Sequence, residues 1–185
     1  QDIELLSSQV ERCNQILKKL SLNPNEEDEF IDVDISMKDY LKEIISSFRE
    51  TSSKEFILNI DQDSNSKKIT KSIEIVYGLR NFIGNANKFA NKKIFITLKS
   101  DNDFTEIIIE DDGNGFSSNI LSKIGEPYLK GIKSMNENKS GLGLGIFIGK
   151  TLLEKNFANV NCRNSDTRGG AEVIIKWKNK DLFNI

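Results

Sequence analysis

Residues 140–151 read SGLGLGIFIGKT, and this stretch decides between two kinds of nucleotide-binding fold. It looks like a Walker A phosphate loop, whose pattern is G-x-x-x-x-G-K-S/T. Counting back from Gly149, the position of the first glycine holds Leu144, and Ile146 is also too bulky for a loop that brings bare backbone N–H groups to phosphate. From Gly145 onward, the apolar spacing predicts a buried helix. The stretch therefore excludes a P-loop and predicts a glycine-rich helix start, suited to an anion or to tight helix packing.

Composition limits the function further. The 185 residues are 37% hydrophobic and 29% charged, which indicates one globular domain with or without a short appendage. The net charge of −2 shows no basic excess, so we expect no nucleic-acid partner. The sequence contains no histidine, which excludes a Ser-His-Asp triad and a Cys-His pair within this chain. Its two cysteines form no CxxC motif, so no zinc site is expected.

The chain has no apolar run long enough to span a bilayer and no signal peptide. We therefore expect a soluble, cytoplasm-like domain, with any membrane segment lying outside this sequence.

Residues 2–22 carry a heptad pattern, because their apolar side chains alternate at spacings of three and four. The residues of this seam are Ile3, Leu6, Val10, Cys13, Leu17 and Leu20. A coiled-coil-like helix that needs partner helices is the main prediction, and packing on its own domain is the alternative. Residues 23–31, with Pro24 and an acidic run, are predicted to be a linker.

The rest of the chain alternates between strand and helix patterns, which predicts an α+β fold with a mixed sheet. The predicted strands are near 31–35 and at 55–60, 94–99, 104–110, 158–163 and 171–177. The predicted helices are at 37–50, 71–90, 116–123 and 145–156, with loops at 61–68 and 125–141.

The helix at 71–90 has two distinct faces. Its apolar face consists of Ile75, Leu79, Phe82, Ile83, Ala86 and Ala90. Asn81, Asn85 and Lys88 share the opposite face, where an amide oxygen suits Mg²⁺ and an ammonium suits phosphate. A chance arrangement on a solvated face is the alternative.

The stretch EDDGNGF at 110–116 follows an apolar strand and places Asp111 at its end. A buried carboxylate there could accept a hydrogen bond from the exocyclic amine of adenine. Gly113 and Gly115 would let the backbone pass close to the ring. A simple hairpin turn is the alternative.

Together these segments resemble the ATP-binding domain of histidine kinases, in the GHKL group. NFIGNANKF at 81–89 resembles the N box, DDGNG at 111–115 the G1 box, GEPY at 125–128 the F box and GLGLG at 141–145 the G2 box. RGGAEVIIKW at 168–177 resembles the closing segment. The resemblance covers residues 32–178 and implies a two-layer α/β sandwich, the Bergerat fold, with about five strands on about three helices.

One branch is more similar still. SQVERCNQIL at 8–17 and GLGLGIFIGKTLLEK at 141–155 resemble the redox-responsive RegB/PrrB/ActS sensor kinases. The resemblance implies that residues 1–22 are the second helix of a dimerisation and histidine-phosphotransfer hairpin, followed by the linker and by an ATP-binding domain at 32–185. It also implies a homodimer through this helix, a response regulator as partner, and a bacterial inner-membrane sensor protein.

The resemblance assigns roles to the candidate residues. Asn85 would coordinate Mg²⁺ on the ATP phosphates, with Asn81 and Lys88 beside it, and Asp111 would hold the adenine amine. Residues 125–141 would form the ATP lid. The remaining ATP-binding candidates are Phe89, Gly113, Gly115, Pro127, Tyr128, Gly141, Leu142, Gly143, Leu144 and Gly145.

Two departures qualify these roles. Hydrolase relatives carry a general-base glutamate at the position of Asn81, so phosphate transfer is expected here rather than hydrolysis. The phosphoacceptor histidine is absent, so this chain alone should not phosphorylate itself. A GHKL anti-sigma serine kinase and a nucleotide-binding scaffold without transferase activity remain alternatives.

The two cysteines are interpreted differently. Cys13 is a redox candidate by resemblance, with a small core residue as the alternative. Cys162 and Trp177 are predicted to be core.

Overall fold

The computed structural model describes residues 35–61, 68–69, 72–124 and 144–182. The predictions for residues 1–22, for the linker and for the lid lie outside these residues. The same is true of Cys13, Pro127, Tyr128, Gly141, Leu142 and Gly143.

The strands and helices follow the order that the sequence patterns predict. The strands are β1 (Ile35–Ser36), β2 (Glu55–Ile60), β3 (Lys68–Ile69), β4 (Lys93–Ser100), β5 (Phe104–Asp111), β6 (Asn159–Asn164) and β7 (Ala171–Lys178). The helices are α1 (Met37–Arg49), α2 (Ile73–Phe89), α3 (Ser118–Leu121), α4 (Leu144–Lys155) and α5 (Asn179–Leu182).

Three local predictions were incomplete. The end of the predicted loop at 61–68 contributes to β3, because Lys68–Ile69 pairs with β1 as a separate two-stranded ribbon. Helix α3 is shorter than the predicted 116–123, and α5 was not predicted at all. Both helices are a single turn, too short for an apolar period to show.

Five strands form one mixed sheet in the order β2-β4-β5-β7-β6. β2 and β4 are parallel and are connected through α2, as a parallel pair requires a crossover. The other neighbouring pairs are antiparallel, and β5 lies between β4 and β7 at the centre of the sheet. This confirms the predicted mixed sheet of five strands.

The sheet is covered by helices on one face, which gives two layers. Along β5, Thr105, Ile107, Ile109 and Asp111 are buried, and the residues between them are partly exposed. The buried residues of the strands join those of α1, α2 and α4 in a single core cluster. The three long helices and the sheet therefore form the predicted α+β sandwich.

The core predictions for Trp177 and Cys162 are confirmed. Trp177 is fully buried, and its indole N–H donates to the backbone oxygen of Asn156 at 3.0 Å. Cys162 is half-buried against the core, and burial raises the pKa of its thiol to about 11. The thiol is therefore protonated at neutral pH and packs as a small apolar group.

Helices α2 and α4 approach closely because glycines lie between them. A Cβ at Gly78 would lie 2.5 Å from Leu153 Cγ, and one at Gly149 would lie 2.9 Å from the ring of Phe82. Gly149 thus serves helix packing. Lys150 lies inside α4, as predicted, and pairs with Glu154 at 3.5 Å, so GKT does not form a phosphate loop. No helix among the described residues is both long and apolar enough to cross a membrane.

Candidate functional site

Polar side chains form hydrogen bonds with the backbone at both ends of helix α2. Ser72 caps its N-terminus by accepting the N–H of Ile75 at 3.4 Å. At the other end, the Lys54 ammonium donates to the backbone oxygens of Asn87 and Ala90, the latter at 2.6 Å. A cation suits this position because the last carbonyls of a helix carry partial negative charge. The helix that carries the candidate asparagines is therefore fixed at both ends.

The predicted polar face of α2 is half-buried along its length, whereas the predicted apolar face is buried. The Asn81 amide donates to the backbone oxygen of Tyr77 at 2.8 Å. The Asn85 amide forms no hydrogen bond with any residue that the structure describes. Lys88 lies with its ammonium 5.2 Å from the ring centre of Phe89, which is 47% exposed. The face thus offers one uncommitted amide with a cation one turn further along.

Asp111 lies at the end of the central strand β5 and is only 3% exposed. Its Oδ1 accepts two backbone N–H groups, from Gly113 at 2.8 Å and from Ala171 at 3.3 Å. None of the described residues donates to Oδ2. Burial raises the pKa of this carboxyl, and the two backbone hydrogen bonds offset the rise only in part. The buried carboxylate therefore has one oxygen held by the fold and one that accepts no hydrogen bond from the described residues.

Backbone passes close to Asp111 on two sides, because glycines occupy both positions. A Cβ at Gly113 would lie 2.8 Å from Asp111 Oδ1 and would overlap the backbone oxygen of Phe89. A Cβ at Gly170 would overlap the backbone oxygen of Asp111 itself. Any larger residue would displace this packing. The carboxylate consequently sits between the loop after β5 and the turn before β7.

The loop after β5 does not form a hairpin, so that alternative is wrong. β5 pairs with β4 and β7, and the chain continues from Gly115 into α3. Gly115 has φ +70°, and Asn164 faces it. Asn164 Oδ1 accepts the N–H of Phe116 at 2.6 Å, and its amide donates to the backbone oxygen of Phe116 at 2.9 Å. This two-point contact holds the loop against the end of β6.

The first turn of α4 lies beside the polar face of α2. A Cβ at Gly145 would lie 3.8 Å from Asn81 Oδ1. Leu144 is the first residue of the helix. At the far end of α2, the Gly113 loop meets the backbone of Phe89. The fold therefore brings Asn81, Gly145, Phe89, Gly113 and Asp111 along one helix.

Several residues that shape this site were not found from the sequence. Lys54, Asn164, Gly170 and Ala171 contact it only through the tertiary fold, and their local patterns are those of ordinary turns and strand ends. The Gly169-Gly170 pair did give a signal, because it precedes the predicted strand at 171–177 and glycine pairs favour turns, and Gly169 has φ +77°. What it could not indicate is that the turn covers Asp111.

The described residues include no group of three or more His, Cys, Asp or Glu that could hold a metal ion. The amide oxygen of Asn85 is an oxygen ligand of the kind that could contribute to binding Mg²⁺.

Comparisons with known proteins agree with this geometry. The profile of the histidine kinase-, DNA gyrase B- and HSP90-like ATPase family matches residues 70–181. Among curated proteins, the sensor histidine kinase RegB of Cereibacter sphaeroides is 30% identical over 95% of this chain. The sensor histidine kinase CpxA of Escherichia coli is 28% identical over 52% of it. The chain spans 42% of the length of RegB and 21% of CpxA.

Solved structures share the fold at low sequence identity. The catalytic domain of the histidine kinase ThkA superposes with a TM-score of 0.63 at 18% identity, covering 78% of this chain and 95% of that chain. The mycobacterial sensor histidine kinase MprB gives a TM-score of 0.62 at 17% identity, covering the same 78% of this chain and 95% of its own. The full-length ShkA structure, determined in complex with AMPPNP, gives 0.61 at 19% identity, covering 78% of this chain and 30% of that chain.

Proposed function

Because this chain belongs to the histidine kinase-, DNA gyrase B- and HSP90-like ATPase family and is similar to RegB, we propose that it is the part of a sensor histidine kinase that binds Mg·ATP. In this proposal the γ-phosphate passes to a histidine on an upstream helix and then to a response regulator. The observation that carries the proposal is the buried carboxylate of Asp111, whose Oδ1 is saturated by backbone N–H groups.

The base subsite follows from that carboxylate. Adenine carries an amine donor where guanine carries an oxygen acceptor. Asp111 Oδ2 would accept from the adenine amine and would repel the guanine oxygen. Gly113 and Gly115 let the loop beside this subsite pack closely against Phe89 and Asn164.

The phosphate subsite would lie at the other end of the same helix face. Residues 81 to 89 of α2 span about 12 Å along the helix axis, so an extended nucleotide could reach from Asp111 to Asn81 and Gly145. Asn85 would supply an amide oxygen to Mg²⁺, and Lys88 would contribute positive charge near the phosphates. The N-terminal N–H groups of α4 favour an anion for the same electrostatic reason. Bound Mg²⁺ would neutralise charge on the transferring phosphate.

Transfer is favoured over hydrolysis because the position one turn before Asn85 on α2 does not hold a base. The residue one turn earlier is Asn81, and its amide is engaged by the backbone oxygen of Tyr77. An amide cannot take a proton from water. We therefore expect ATP turnover far below that of a hydrolase, which a coupled phosphate-release assay would measure.

The assembly around this domain also belongs to the proposal. Residues 1–22 would form the second helix of a dimeric phosphotransfer hairpin, and residues 23–31 would link it to the ATP-binding domain at 32–185. Residues 125–141 would close over the phosphates as a lid. Any membrane anchor would lie in an upstream segment of a bacterial inner-membrane protein, with this domain in the cytoplasm.

The decisive experiment extends the protein upstream by roughly 50 residues, the length of one helical hairpin. The extended protein is incubated with γ-labelled Mg·ATP, and the label is challenged with acid and alkali. Acid-labile, alkali-stable label indicates phosphohistidine and supports the proposal. Acid-stable label would indicate a serine kinase, and bound ATP without label would indicate a scaffold.

A further inference from the structure

A cluster on the outer face of the sheet connects the turn at 165–170 to strand β5. The Glu110 carboxylate accepts from two donors of this turn, the Ser165 hydroxyl at 2.8 Å and the Arg168 guanidinium at 3.2 Å. The same guanidinium lies 3.6 Å from the ring centre of Phe95 on β4. We call Glu110, Ser165 and Arg168 the turn latch.

The carboxylate of the latch is largely buried, whereas its arginine is partly exposed to water. The Glu110 side chain is 12% exposed and that of Arg168 is 34% exposed. Charged hydrogen bonds of this kind gain strength when solvent is excluded. Stacking of the planar guanidinium on Phe95 fixes its orientation as well as its charge.

The latched turn is the segment that covers Asp111. Ser165 closes the turn by donating its N–H to the backbone oxygen of Gly170 at 2.8 Å. Gly170 packs on the backbone of Asp111, and the next N–H, that of Ala171, donates to Asp111 Oδ1. Glu110 precedes Asp111 in the chain, so the latch contacts β5 at the residue next to the buried carboxylate.

We propose that Glu110 and Arg168 are positioning residues for base recognition, acting through the turn to hold Asp111 with Oδ2 toward the ligand. This inference rests on the proposed function, because it concerns the adenine subsite. If the turn swings away, Oδ1 loses the Ala171 N–H and keeps only that of Gly113, so the carboxylate can rotate more freely. The base then loses an oriented acceptor, and the preference for adenine over guanine falls.

A role limited to general stability would have a different signature. No described contact joins the latch to Asn81, Asn85 or Gly145, the residues of the phosphate subsite. Loosening the latch should therefore weaken recognition of the base and spare recognition of phosphate. General destabilisation would affect both equally.

The chain provides a matched control. Arg163 pairs with Glu172 on the same outer face, opposite Glu110 in the sheet, and has no hydrogen bond to Glu110, Ser165 or Arg168. Arg168→Ala and Arg163→Ala each delete one arginine from one Arg–Glu pair. Only the first removes a hydrogen bond of the turn latch.

The experiment measures dissociation constants by calorimetry for Mg·ADP, Mg·GDP and inorganic magnesium triphosphate. For Arg168→Ala we expect about tenfold weaker ADP binding and a smaller ratio of ADP affinity to GDP affinity. The affinity for magnesium triphosphate should stay within about twofold of wild type. Arg163→Ala should match wild type for all three. Equal effects of the two variants, or parallel loss of ADP and triphosphate affinity, would overturn the inference.

Failure of the proposed function gives a different result, because the wild type would then bind no adenine nucleotide. Amide hydrogen exchange tests the latch independently of any ligand. The Ala171 amide should exchange faster in Arg168→Ala than in wild type, and its exchange rate should be unchanged in Arg163→Ala. If Arg168→Ala does not fold, Glu110→Gln replaces it, since Gln still accepts from Ser165 but loses the charge that attracts Arg168. Wild-type base preference in a folded Glu110→Gln would contradict the inference.

Discussion

Replacing Asp111 by asparagine should separate nucleotide binding from stability. The amide oxygen can still accept the N–H groups of Gly113 and Ala171, and the new NH₂ group occupies the place of Oδ2, to which no described residue donates. Burial raises the pKa of Asp111 above its ordinary value of 3.8. A raised pKa means that the stability from this group is complete below pH 3.8 and is lost as the pH rises through the folded-state value. The neutral variant avoids that loss, so at pH 7 it should be at least as stable as wild type.

Binding should change in the opposite direction. A hydrogen bond to a charged acceptor contributes about 1.5–3 kcal/mol. Its loss corresponds to about 10- to 150-fold in dissociation constant. The new amide also directs a donor at the amine of adenine, and it suits the oxygen of guanine. Calorimetry with Mg·ADP and Mg·GDP should therefore show a large loss for ADP and a relative gain for GDP, while urea unfolding at pH 7 shows no loss of stability.

Asp112 is the matched control, because it is the adjacent residue with the opposite environment. Burial would raise the pKa of Asp112, but backbone N–H groups, including that of Lys92 at 2.9 Å, outweigh burial and lower it. The stability that Asp112 contributes is present at pH values above its ordinary pKa and is lost as the pH falls through the lowered pKa of the folded state. Asp112→Asn should therefore cost about 1 kcal/mol at pH 7 and leave ADP affinity unchanged. Wild-type ADP affinity in Asp111→Asn, or equal loss of stability in both variants, would refute the assignment.

Three further predictions follow from the helices. Gly78→Ala should lower the free energy of unfolding by up to about 2 kcal/mol. Overpacking against Leu153 costs about 1–3 kcal/mol, and the higher helix propensity of alanine stabilises the helix by about 1 kcal/mol. Gly84→Ala on the same helix, with its Cβ 3.4 Å from the nearest ring atom, should instead raise it by up to about 1 kcal/mol, and urea titration distinguishes the two signs. Lys150→Ala should cost less than about 1 kcal/mol and leave ATP affinity intact, whereas the lysine of a P-loop would be essential; calorimetry decides. Asn85→Ala should reduce the Mg²⁺ enhancement of ATP affinity by about tenfold, measured with and without EDTA, and an unchanged enhancement would remove Asn85 as a metal ligand.

Much of the fold could be read from the sequence, because local periodicity reports burial. The pattern along residues 71–90 gave both faces of α2, and the structure buries the predicted apolar one. The spacing of GIFIGKT excluded a P-loop, and the structure places Lys150 inside a helix. The family boxes occur in order along the chain, so the family was also available from sequence.

Contacts between distant segments could not be read in this way. Asp111 was expected to lie at a strand end, but its partner Ala171 is 60 residues away, and Asn164 is 48 residues from Phe116. Backbone N–H groups and carbonyls are the same at every position, so no local pattern shows which of them will meet. Glu110 and Arg168 likewise look like ordinary surface charges until β5 and β7 pair.

The sequence by itself therefore determined the main helices and strands, their buried faces and several of the side chains at the candidate site. These depend on side-chain chemistry repeated at fixed spacing, which is a local property. Only the tertiary structure decided that β5 pairs with β7, and thus that the turn before β7 covers Asp111 and fixes one of its oxygens. That arrangement depends on which strands align across the whole sheet, which is a global property of packing.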